Sequence, residues 1–195
     1  MGKYLFMKSV IAAISEGEFF RKAVAIFLRV LALVITISGL VAWVVVWKSI
    51  VGDDVKTIAG VVIFQILFIF AVYMVVHAIL IRANDISELP DGDYTVIPVA
   101  SVFFKLCGEI YAAFGAVISL AGGILIWFIG GNAFYFIRKV SIFKHGYGAG
   151  ADFLGGLTFI VGGWLVAFFV LIVFYFLSEA IAVMADIAKN TKKGR

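Results

Sequence analysis

Apolar residues run through this chain in four long blocks, each bounded by a few charges, and that pattern predicts the elements. Residues 1–22 come first and are broken by Lys3, Lys8, Glu16 and Glu18. Within them Phe6, Val10, Ile11 and Ile14 recur near helical spacing, which predicts an amphipathic helix on a membrane surface or on the protein's own face. A first span is expected over 23–47: Arg29 stands one turn before an unbroken apolar run from Val30 to Trp47, and Trp43 and Trp47 suit a membrane interface. A second span is expected over 57–81, with His77 near its end, followed by a polar loop from Arg82 to Pro98 that holds Pro90-Asp-Gly. A third helix beginning near Val99 carries Lys105 and Glu109 ahead of a clean apolar stretch from Ile110 to Gly130, its span expected over 106–130. Residues 131–150 mix Arg138, Lys139 and Lys144 with aromatics, as a headgroup-level segment does. The fourth span covers 153–177 and continues through Glu179 and Asp186 to a basic tail. The expected architecture is all-α integral membrane. Four transmembrane helices form two helical hairpins, 23–98 and 99–195, after the 1–22 amphipathic segment.

Composition points the same way. Of 195 residues, 64% are hydrophobic and 14% charged, and the mean hydropathy is +1.15. A soluble domain of this length needs more charge to cover its surface. The net charge of +4 would suit nucleic acid if the basic residues formed a stripe. They flank apolar runs instead, which suits lipid headgroups. Lys3, Lys8, Arg21, Lys22, Arg138, Lys139 and Lys144 are the candidate headgroup contacts. With four spans, one side holds Lys3, Lys8, Arg21, Lys22, Arg29, Arg82, Lys105, Lys189, Lys192, Lys193 and Arg195; the other holds Lys48, Lys56, Arg138, Lys139 and Lys144. Eleven of the 16 against five predicts both termini in the cytoplasm. The first apolar run is too long for a signal peptide, and Phe6 occupies the position where myristoylation wants Ser or Thr.

The two halves resemble each other. Val34 to Gly39 (VITISG) matches Val117 to Gly122 (VISLAG), and Tyr73 to Ile79 matches Tyr175 to Ile181. This predicts a parallel repeat of one hairpin, in which His77 and Glu179 are equivalent. The closing stretch, Glu179 through Asp186 and Ile187 to Asn190 and Thr191, resembles an uncharacterised family of small bacterial two-helix inner-membrane domains. That resemblance implies a bacterial inner-membrane location and no particular activity.

Charges inside spans are costly, so Arg29, His77, Lys105, Glu109 and Glu179 are the candidates for a polar layer near the cytoplasmic leaflet. Arg29 or Lys105 is expected to neutralise Glu109 or Glu179. Close helix packing is expected at Gly39, at Ala112, Ala116, Ser119 and Gly123, and at Gly162 and Gly163. Enzyme chemistry finds no foothold. The glycine-rich run from Gly146 lacks the Lys-Ser/Thr of a phosphate loop, and His77 and His145 are predicted on opposite membrane faces. The one cysteine, Cys107, cannot form an internal disulfide or supply a thiolate cluster. No cofactor or metal is expected, and the partners are lipids and either membrane-protein subunits or further copies of the chain. The leading expectation is a non-enzymatic accessory or scaffolding subunit of a membrane assembly. The alternative is a small homo-oligomeric channel or transporter.

Overall fold

The computed structural model describes residues 17–48, 54–90, 94, 96–140, 150 and 152–193. The expected amphipathic helix falls mostly on residues 1–16, outside the described residues, as do Lys3, Lys8 and Lys144. Among the described residues the chain forms helices α1 (Gly17–Lys48), α2 (Val55–Ser87), α3 (Val96–Ile129), α4 (Ala133–Val140) and α5 (Phe153–Lys193), with a 3₁₀ turn at Gly130–Asn132. Four of these helices are long and apolar enough to cross a membrane, as the hydrophobic pattern requires.

The helix boundaries differ from the expected ones where charges find partners. Residues 17–22 are the opening turns of α1, with no break before the first span. An ion pair one turn apart, Lys22 Nζ to Glu18 Oε1 at 2.5 Å, favours continuous helix there. Helix α2 starts on Asp54, whose carboxylate accepts from the Thr57 backbone N–H and hydroxyl; the Thr57 hydroxyl bond holds the Asp54 carboxyl below its ordinary range. The same helix runs through Arg82 and Asp85 to Ser87, where a polar loop is expected. It does so because Ile79, Ala83 and Ile86 continue the buried stripe at helical spacing. Pro98 lies in the first turn of α3, where its missing N–H costs no helical bond. Past α3, Gly130 adopts φ 57°, a left-handed conformation that only glycine takes easily, and the chain turns into α4.

The helices stand in an open row, not a closed four-helix bundle. Helix α1 packs on α2, α2 on α3, and α3 on α5, while α1 and α5 do not meet. The short α4 bends back from α3 far enough to touch α1, and buries Ala133, Phe136 and Ile137. Two core clusters result. One, near the α1–α2 turn, gathers Phe64, Phe68, Leu125, Phe136 and Phe159. The other, near the α2–α3 turn, gathers Leu28, Ile79, Ile86, Val99 and Leu106. The small residues set α3 against α5 within one chain: a Cβ on Gly163 would collide with Ser119, and one on Gly123 would lie 2.6 Å from the Gly156 carbonyl oxygen. Ala112 and Ala116 are half-buried beside them, and the Ala116 carbonyl accepts from Trp164 Nε1 at 3.0 Å. Gly162 is half-buried, and Gly39 seats Val72 where α1 meets α2.

The expected repeat does not extend to the packing. The sequence match would pair Gly122 with Phe174, as Gly39 pairs with Val72. Instead Gly122 lies against Phe159, and Phe174 lies against Gly108, 14 residues earlier on α3 (122 − 108). At 1.5 Å per residue, α5 is shifted by about 20 Å along α3 from the register that the match predicts. Bulk decides this: Phe174 and Phe159 each need a glycine opposite, and α3 supplies them at 108 and 122.

Candidate functional site

The described polar side chains concentrate near the end of the row that holds the α2–α3 turn. There Arg82 of α2, Glu109 of α3 and Tyr175 of α5 converge. Arg82 Nε donates to Glu109 Oε2 at 2.8 Å, and its Nη2 pairs with Glu109 Oε1. This two-pronged contact matches the planar guanidinium to the carboxylate. Arg82 Nη1 also reaches Asp85 Oδ2 at 2.8 Å, one turn on along α2. Tyr175 donates its hydroxyl to Glu109 Oε1 at 2.6 Å and stands 3.4 Å from Arg82 Nη2. The Lys105 ammonium lies 5.7 Å from the centre of the Tyr175 ring, within cation–π range.

The charges of this cluster cancel: Arg82 and Lys105 against Glu109 and Asp85. Arg82 and Glu109 retain 21% side-chain exposure each, so the pair is neither sealed in apolar surroundings nor freely solvated. Its depth follows from chain geometry. Glu109 precedes the end of α3 at Ile129 by 20 residues (129 − 109), about 30 Å of helix and roughly one hydrocarbon thickness. In a bilayer with Ile129 at one face, the cluster would fall at the level of the opposite headgroups. It bridges α2 and α5, whose backbones do not pack on each other.

Of the five expected polar-layer residues, Lys105 and Glu109 belong to this cluster and the other three do not. Arg29 Nη2 bonds Asn84 Oδ1 at 3.0 Å and ties α1 to α2, so it neutralises neither glutamate. His77 is exposed and stacks on Tyr73 with ring centres 5.7 Å apart. Glu179 is exposed at the edge of a shallow groove with Leu171, Ile172, Tyr175 and Phe176. The neutralising partner of Glu109 is Arg82, which the sequence pattern had assigned to a loop. Its signal was present in the buried stripe that continues past the last apolar run. Tyr175 carried no signal beyond an apolar helix position.

Polar ties fix the neighbouring elements. Arg21, expected at lipid headgroups, is 7% exposed and donates from Nη1 to the Pro90 carbonyl at 2.9 Å, anchoring the start of α1 to the α2–α3 turn. Ser101 and Ser178 share a 2.7 Å hydrogen bond between α3 and α5. Gln65, 1% exposed, donates to the Trp43 carbonyl at 2.9 Å, replacing a bond to water that the interior cannot offer. Lys22 and Arg138, also expected at headgroups, are exposed; the Lys139 side chain lies outside what the structure describes. Among the described residues, no three His, Cys, Asp or Glu side chains group as a metal site. Comparisons with family models, curated proteins and solved structures return no match to this chain.

Proposed function

We propose that this chain is a multi-pass membrane protein of the bacterial inner membrane, with both termini cytoplasmic, that acts without catalysis as an accessory or scaffolding subunit of a larger membrane assembly. The observation that carries this reading is the open row. Helices α1 and α5 each pack on one side only, so most of their surface is left for lipid or neighbouring subunits. The Arg82–Glu109–Tyr175 cluster supports it as a clamp holding three helices in register at one leaflet. The basic count on the side of the termini supports the orientation. The test is affinity purification from native membranes in mild detergent. A stoichiometric second protein is expected, and a preparation holding only this chain would overturn the accessory role.

A second reading, a small homo-oligomeric channel or transporter, draws on the partial exposure of the same cluster. In reconstituted vesicles it requires ion flux that falls in Glu109→Gln; absence of flux in the unaltered chain removes it.

A further inference from the structure

Helix α5 is longer than a bilayer needs. Its 41 residues extend about 60 Å, against a hydrocarbon core of about 30 Å. Phe153 opens the helix with its ring stacked on Trp127, an aromatic pairing typical of a membrane interface. Ile187 stands 34 residues further on (187 − 153), about 50 Å along the axis, past the far headgroups. The helix nonetheless stays apolar there: Val183 is 56% exposed and Ile187 60%. Lipid tails cover the exposed face of α5 inside the bilayer, but not these positions, where an uncovered apolar stripe costs free energy in water.

Past the unbroken apolar run that ends at Leu177, Ala180, Val183 and Ile187 continue the positions of Phe169, Val173 and Phe176 at alternating steps of four and three residues, with exposed Met184 beside them. This is the heptad spacing of a coiled-coil seam, and it lies nearly opposite the face that Gly163, Ala167 and Ser178 bury toward α3. The next step falls on Asn190. Glu179, Asp186 and Lys189 lie off the seam, so no charge would be buried and no like charges would meet across it.

We infer that α5 is a self-association surface: two copies of the chain pair through this seam as a parallel, twofold-symmetric helix dimer running from the bilayer into the aqueous phase. A second copy fits better than an unlike partner for two reasons. Copies in one membrane share an orientation, so equal residues meet at equal heights along a seam that complements itself. The polar seam residue Asn190 would then face its own counterpart, the arrangement in which a seam asparagine is satisfied and fixes register. The inference rests on the reading that α5 spans a membrane.

Single cysteines test it in the full-length protein in native-lipid vesicles, with Cys107 replaced by Ser. Val183→Cys and Ile187→Cys are expected to form covalent dimers with a short bis-maleimide, while Ala182→Cys, exposed on another side of α5, is not. Equal labelling of all three, or none at 183 and 187, overturns the seam. Adducts of a different mass than the dimer overturn it as well, yet leave the accessory role standing. Extraction of the chain by alkaline carbonate would remove the membrane reading itself. As a second measurement, Ile187→Asp in the otherwise unaltered chain is expected to convert the dimer to monomer by light scattering. Ile187 makes no core contact that this change could unfold, so a dimer that persists counts against the seam.

Discussion

Arg82 and Glu109 show how a charged pair can be held at the edge of an apolar row. Each carries a cost of leaving water, which the two-pronged contact, Asp85 and the Tyr175 hydroxyl offset. Removing one member leaves the other charge short of partners in a mostly apolar setting. Glu109→Gln and Arg82→Gln are each expected to lower unfolding stability by about 1–3 kcal/mol, given partial exposure and hydrogen bonds to charged groups. The double mutant should cost less than the sum of the two, because neither orphan remains. Thermal unfolding of the three variants in one detergent measures the coupling, and strict additivity would show that the pair contributes nothing as a pair. Tyr175→Phe removes a single donor and is expected to cost about 1–2 kcal/mol by the same assay.

Between elements, contact depends on small residues more than on apolar area, since lipid solvates leucine as well as a neighbouring helix does. The α3–α5 contact is the most extensive in the chain, and Gly163 against Ser119 lies at its middle. Gly163→Leu has no room there. It is expected to push α5 from α3 and to destabilise the chain by about 1–3 kcal/mol or more, read as a lower unfolding midpoint. Gly162→Leu, one residue away and only half-buried, should cost less. The small-residue pattern on α3 and at Gly162 and Gly163 of α5 was plain in the sequence, but not which surface it serves. The same alphabet suits contacts within a chain and between chains, and only the seating of Ile160 and Phe159 on Gly123 and Gly122 assigns it.

At the scale of the molecule, an even number of crossings places the start of α1 and the end of α5 at one end of the row, tied there by Arg21 to Pro90 and by Ser101 to Ser178. Reporter fusions at both termini are expected to give the same cytoplasmic signal, and a fusion in the α1–α2 turn the opposite one. Signals from opposite sides at the two termini would rule out four crossings.

The sequence alone determined that the chain is helical and how many helices can cross a membrane, because run length and hydropathy are local properties that a bilayer reads directly. It also placed Lys105 and Glu109 at one level of the third helix. It could not decide the order in which helices pack, the register of α5 along α3, or the partner of Glu109. Those depend on which side chains fit which gaps across helices: Phe174 on Gly108, Phe159 on Gly122, and Arg82 reaching over α3 toward Tyr175. An apolar alphabet with no cost difference between lipid and protein neighbours leaves such choices to shape, and shape exists only in the folded molecule.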